Sequence, residues 1–167
     1  KDFAEPAASV LKHTNPCGAA VANDLAAAYN AAYAGDPLSA FGSIVGLNRR
    51  VDKMTAEAIA QPGRFVEAVI APAFEDRAVE VLTTKAKWGK NVRLLASGDL
   101  GFRDRGEFDF RSVTSGALRQ ARDLAFPEFD KVKVATERAP TDEEMASLRF
   151  AWVICKHVKS NAIVLVK

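Results

Sequence analysis

Short apolar runs and stretches of helical periodicity take turns along this chain. Ala7-Ala8-Ser9-Val10-Leu11-Lys12 predicts a strand. From about residue 19 to 34, Val21, Leu25, Ala28, Tyr29 and Ala32 recur at helical spacing and predict a helix. Gly35 follows as a residue free to end it in a left-handed conformation. Ser43-Ile44-Val45-Gly46-Leu47 reads as a buried strand, 54–61 as a short helix stopped by Pro62-Gly63, and Phe65–Ala71 as a third strand ended by Pro72. A helix over 75–86 with Ala78, Val81 and Leu82 inward precedes a fourth strand at Val92–Leu95. The alternation predicts an α/β layered fold.

The second half is less regular. Residues 97–110 are rich in Gly and charge and read as an exposed loop or insertion, 111–118 as a strand with a bulge at Gly116, and 122–140 as irregular. Thr141 with Glu144 three positions on is a capping-box signal for a helix. Met145, Leu148, Trp152 and Cys155 would form its buried stripe. Lys156 and His157 suit its C-terminal end, and Ala162–Val166 reads as a last strand.

Composition narrows the classes. With 167 residues, 49% hydrophobic and 26% charged, the chain is an ordinary globular domain in size and make-up. A net charge of +2 with scattered basic residues gives no support to nucleic-acid binding. No apolar stretch approaches the length of a membrane span, no signal peptide is visible, and two unframed cysteines suit a reducing cytoplasm. The chain starts with Lys1 and stops inside an apolar run, which reads as an internal piece of a longer polypeptide.

The densest chemistry lies in Lys12-His13-Thr14-Asn15-Pro16-Cys17-Gly18, expected at a strand-to-helix junction. A helix N-terminus there would attract an anion. Lys12 and His13 read either as a proton shuttle or anion clamp, or as a solvated Lys beside a packing His. Cys17 reads as a nucleophile activated at the helix start or as a small residue filling a turn; the absence of a separate His/Asp arrangement favours the turn. Gly42, after Ser39-Ala40-Phe41, would let a ligand approach the backbone, with Phe41 stacking on a flat ring; the alternative is a strand-entry turn. Glu67 interrupts an apolar strand and reads as an acceptor for a ligand or as a water-facing position. Asn161, in Lys156-His157-Val158-Lys159-Ser160-Asn161, could read a carboxamide, or the run is a helix end with favourable cations. There is no His-x-Glu with Cys-x-x-Cys, no Walker loop, no dinucleotide fingerprint and no nucleophile elbow.

Four of these segments, in order, resemble the AICAR transformylase family: Lys12-His13-Thr14-Asn15-Pro16-Cys17-Gly18; Asp36-Pro37-Leu38-Ser39-Ala40-Phe41-Gly42, then Ile44-Val45; Phe65-Val66-Glu67-Ala68-Val69-Ile70-Ala71-Pro72; and Phe150-Ala151-Trp152 followed by Lys156-His157-Val158-Lys159-Ser160-Asn161-Ala162-Ile163-Val164. The resemblance implies a three-layer α/β/α fold, cytidine-deaminase-like without zinc. It implies formyl transfer from the co-substrate 10-formyltetrahydrofolate to AICAR, giving FAICAR in purine (IMP) biosynthesis, with no catalytic metal.

It also implies roles. Lys12 moves protons, His13 contacts the carboxamide and amine, Asn161 holds the reacting centre, and Gly42 and Glu67 contact the nucleotide. Residues 1–167 would be part of the transformylase domain. The cyclohydrolase domain, the Arg-Tyr-Gly phosphate segment and part of the folate contacts would lie elsewhere in a cytoplasmic homodimer. The fragment would be inactive alone. Ser43 and Ser115–Gln120 depart from the family pattern. The competing readings are a non-catalytic α/β binding or assembly module and an unrelated α/β enzyme using Cys17.

Overall fold

A computed structural model describes residues 2–100 and 108–167. Its elements are β1 (Ala7–Lys12), β2 (Asn15–Val21), α1 (Leu25–Gly35), β3 (Ser43–Leu47), α2 (Lys53–Ile59), β4 (Val66–Ala71), α3 (Asp76–Glu80), β5 (Arg93–Ala96), β6 (Phe108–Val113), β7 (Gly116–Ala121) and α4 (Asp142–Lys156). β1 to β5 form one sheet in the order β2-β1-β3-β4-β5. β1 runs antiparallel to both its neighbours, whereas β3, β4 and β5 are parallel. The α/β expectation holds: this is a mixed sheet with crossover helices.

The core lies between the sheet and α1 to α3. Val10, Val45 and Val69 point into it from successive strands and are fully buried, as are Tyr29 and Ala28 of α1, Ile59 of α2 and Leu82. Strand side chains alternate between faces, so Ile44, Ile70 and Leu95 stand on the other face, 48%, 40% and 47% exposed. α3 runs on through a wider helical turn at Val81–Lys85, so the expected helix over 75–86 is present with Ala78, Val81 and Leu82 inward. Asn48 ties the N-terminal segment to the end of β3. Its Oδ1 accepts from Ala7 N–H at 2.7 Å and its Nδ2 donates to the carbonyls of Phe3 and Glu5 at 3.2 and 2.7 Å. A buried amide is stable only when satisfied in this way.

The largest correction concerns the alanine-rich stretch after residue 15. The expected helix over 19–34 begins only at Leu25, where Asp24 caps it by accepting from Ala27 N–H at 2.7 Å. Residues 15–21 instead form the edge strand β2 against β1. Ladder bonds to a neighbour outweigh the helix propensity of alanine, a weak prior that tertiary context overrides. Gly18 makes room for the packing: a Cβ there would lie 1.9 Å from the Ala32 carbonyl oxygen, so α1 rests directly on β2. Gly35 is the last helical residue rather than a left-handed terminator.

Four expectations in the second half also change. The single strand over 111–118 is a hairpin: β6 pairs antiparallel with β7 around Thr114-Ser115, and Gly116 pairs with Val113 rather than forming a bulge. β6 also takes in 108–110, assigned above to a loop, while 101–107 lie outside the described residues. The α4 stripe is not buried. Leu148 and Trp152 are 54% and 57% exposed and Cys155 is exposed; the inward residue is Val153, with Phe150 ring-to-ring against Phe3 at 5.1 Å. Periodicity identifies an apolar face, but burial needs an element to cover it. The expected last strand at 162–166 has no ladder partner among the described residues and is not a strand; Ile163 and Leu165 are 90% and 92% exposed. The capping box at Thr141 and Glu144 is present as expected.

Candidate functional site

Lys12 and His13 stand at a hairpin turn, not at a helix start. β1 ends at Lys12, which pairs with Asn15, so His13 and Thr14 are the two central residues of the connection. Both have positive φ, 52° and 70°. This is the turn geometry that matches strand twist, usually supplied by Asn-Gly. His tolerates it; a β-branched Thr there is strained. Strain of this kind persists where the surroundings over-determine it, often at functional sites. The anion-attracting helix N-terminus expected at this point is absent, since α1 begins ten residues after Asn15.

The rest of the motif is explained by the edge of the sheet. Val10 pairs with Gly18 but Leu11 with Pro16, so Cys17 is the extra residue of a bulge. Pro16 has no N–H to give the ladder, which an edge strand tolerates. The Cys17 thiol donates to the Val10 carbonyl at 3.3 Å, and burial pushes it up from its ordinary value. A thiol held protonated in a strand is a poor nucleophile, so Cys17 reads as the packing residue of the bulge.

Lys12 reaches across to the segment before β3. Its ammonium donates to the carbonyls of Phe41 and Gly42 at 2.8 and 3.1 Å. An ammonium carries three donors, so a third remains for a ligand. Gly42 has φ +71°, and a Cβ there would lie 2.9 Å from Lys12 Nζ and 3.5 Å from the Phe65 ring. Gly42 therefore serves a close approach, and in this structure the approaching group is the Lys12 head rather than the ligand expected from the sequence. Phe41 is 61% exposed and meets Phe65 ring-to-ring at 5.2 Å. The loop is set by Asp36, whose Oδ1 accepts from Ser39 N–H at 3.0 Å. Hydrogen bonds from the Ser39 side chain and backbone hold the Asp36 carboxyl below its ordinary range. Ser43, the departure from the family pattern, is buried on the face that the helices cover.

Glu67 occupies a second irregularity. Val66 pairs with Ser43 and Ala68 with Ile44, so Glu67 is an extra residue that leaves the strand's alternation. Its carboxylate is half-exposed and lies 3.4 Å from Arg93 Nη1. Exposed pairs of this kind contribute about 0–1 kcal/mol, so the pair orients more than it stabilises. Gly42 and Glu67 both sit at the amino ends of parallel strands, opposite to the carboxyl-end location usual in open α/β sheets.

The distant motif joins the same corner. Lys159 N–H donates to Asn15 Oδ1 at 3.2 Å across 144 positions of sequence. Asn161, two residues on, is exposed. Lys12 and Gly42 are brought into direct contact, with His13 next to Lys12 on the turn; Glu67 follows Phe65 by two residues and turns its carboxylate to Arg93, and Asn161 lies two residues beyond the Lys159–Asn15 hydrogen bond. Sequence reasoning missed Phe65 and Arg93; each lies at a strand entry beside a residue it did single out. Among the described residues no group of three or more His, Cys, Asp or Glu side chains gathers to hold a metal ion, and no helix is long and apolar enough to cross a membrane.

The sequence profile of the AICARFT/IMPCHase bienzyme family matches residues 1–167. The chain belongs to that family. It is similar to the bifunctional purine biosynthesis protein PurH of Rhodopirellula baltica, 47% identical over 167 residues, and to those of Sorangium cellulosum, 50% over 166, and Thermoanaerobacter sp., 48% over 167. These alignments cover 99–100% of the chain but only 31–32% of the relatives. The chain thus spans about a third of the length of the bienzyme relatives it matches.

Proposed function

We propose that the chain is part of an AICAR transformylase domain, and that the polypeptide to which it belongs transfers a formyl group from 10-formyltetrahydrofolate to the 5-amino group of AICAR in purine biosynthesis. The observation that carries this reading is the convergence of separate motifs. The Lys-His turn is tied to the Phe41-Gly42 loop by two hydrogen bonds from Lys12 and to the Lys159-Ser160-Asn161 segment by Asn15.

The residue types fit the reaction. An aromatic amine conjugated to a carboxamide is a poor nucleophile. His13, exposed on its turn, and Asn161 would hold the carboxamide and amine so that the nitrogen lone pair faces the formyl carbon. The new C–N bond forms as the formyl carbon leaves N10 of the folate. Lys12 would collect the amine proton and return one to N10, a role for a positioned acid–base group. The Gly42 backbone and Glu67 would contact the nucleotide. The same reading makes the fold cytidine-deaminase-like and three-layered, the second helical layer covering Ile44, Ile70 and Leu95. It makes the parent a cytoplasmic homodimer and the fragment inactive alone, with phosphate and further folate contacts outside this chain.

The test is an assay of the full-length polypeptide with AICAR and 10-formyltetrahydrofolate, following FAICAR and tetrahydrofolate. Stoichiometric formation of both is expected. A folded full-length protein that binds AICAR without turnover would favour the non-catalytic module instead. Turnover abolished by Cys17→Ala, in a protein that still folds, would favour chemistry at Cys17.

A further inference from the structure

A lysine head on a flexible four-carbon stem is only as well placed as its acceptors. Here the acceptors are the carbonyls of Phe41 and Gly42, in a loop whose Phe41 and Leu38 are 61% and 89% exposed. That loop is secured at its end by one neighbouring residue. The Phe65 carbonyl accepts from Gly42 N–H at 2.9 Å. The Phe65 ring stands behind Gly42 and against the Phe41 ring at 5.2 Å.

Phe65 is itself held from behind. The Arg64 carbonyl accepts from Trp88 Nε1–H at 2.7 Å. The Arg64 guanidinium donates to Asn30 Oδ1 at 2.8 Å and to the Ala58 carbonyl at 2.7 Å, and lies 4.4 Å from the Tyr33 ring centre. Val66, the next residue, is buried in β4. The Arg64–Phe65 peptide is therefore fixed on α1, α2 and Trp88, and the loop under Lys12 rests on it.

We propose that Phe65 is a positioning residue for Lys12, acting through the Phe41–Gly42 backbone. The proposal rests on the reading of Lys12 as the proton carrier. The Lys12 head bonds the Phe41 and Gly42 carbonyls, and the Phe65 ring meets that loop rather than the ammonium. Its ring limits how far Gly42 can tilt, and so fixes both carbonyls that aim the ammonium. Truncating the ring opens space behind Gly42, the loop relaxes into it, and the Lys12 head loses its fixed direction while β4 keeps its buried side chains.

The experiment uses the full-length polypeptide and two readouts. Acetic anhydride labelling, quantified by mass spectrometry, reports how shielded Lys12 is, with Lys53 on α2 as internal standard. Steady-state formyl transfer reports kcat and the KM for AICAR. Phe65→Ala should raise Lys12 labelling relative to Lys53 and lower kcat by about tenfold with little change in KM, the signature of a misplaced group. Phe65→Tyr, which keeps the ring, should restore both. If Phe65→Ala does not fold, Phe65→Leu should give the same changes at smaller size. Lys12 labelling identical to wild type in a folded ring-less variant would overturn the proposal. Raised labelling with unchanged kcat would leave the positioning in place and overturn the proton-carrier reading of Lys12.

Discussion

Residues 7–96 and residues 108–167 use the same local rules with opposite outcomes. In the first region every strand of the main sheet pairs and every helix finds a surface, so Val10, Val45, Val69, Tyr29 and Leu82 are fully buried. In the second, the hairpin β6–β7 is exposed along both strands. The capped helix α4 leaves Leu148 and Trp152 uncovered, and its one buried residue is Val153. Capping, turn chemistry and periodicity build an element in either place. Only a neighbouring surface turns an apolar face into core. The candidate site lies where the regions meet, with Lys12, Gly42 and Glu67 on the packed body and Asn161 on the uncovered part.

The difference predicts a graded set of responses. Leu82→Ala should destabilise the body by about 2–5 kcal/mol, the cost of a large-to-small change in a packed core. Leu148→Ala, at a solvent-facing position, should stay within about 0.5 kcal/mol in this chain. Urea denaturation of both variants tests the contrast; equal losses would mean that α4 is covered in solution. Gly18→Ala comes next, at about 1–3 kcal/mol for overpacking, because its methyl would meet the Ala32 carbonyl. A neutral result would show that α1 can lift from β2. Thr141→Ala should cost about 1 kcal/mol as a lost cap, seen in amide exchange of α4 and not of β3 or β4.

The last effect is electrostatic. The Arg138 side chain, followed by the Thr141 backbone N–H, pulls the Glu144 carboxyl down from 4.5 to about 2. A depressed carboxyl stabilises the fold above its unfolded value and loses that contribution as pH falls through its folded one. The α4 start should therefore hold at pH 5 and fray between about pH 4.5 and about 2, read by amide exchange. Arg138→Gln should move the fraying to higher pH; no movement would rule out the pair.

How much was legible in the sequence follows the same division. Short buried strands such as β3 and β4 were visible because their apolar runs are bounded by Gly and Pro. The α4 capping box was visible because its signal is local. β2 was not. Its ladder partner lies in β1 while its last residues, Ala19-Ala20-Val21, run into the helical spacing of α1, and the His13-Thr14 turn lacks the Gly that marks a hairpin. The burial of α4 and the last strand were misjudged because amphipathicity says which face is apolar, not what covers it. At the site, Lys12, Gly42 and Glu67 stood out as polar or small residues at strand ends. Phe65 did not, because a Phe opening an apolar strand run looks like ordinary core, and its carbonyl bond to Gly42 is a backbone event with no sequence signature.

The measurement that bears most directly on the account is formyl transfer by Lys12→Ala in the full-length polypeptide. Loss of a positioned acid–base group should lower kcat by about 10²–10⁴-fold in a protein that still folds and binds AICAR. Turnover near the wild-type level would contradict the account, leaving the Lys12–Gly42 contact as structure without chemistry.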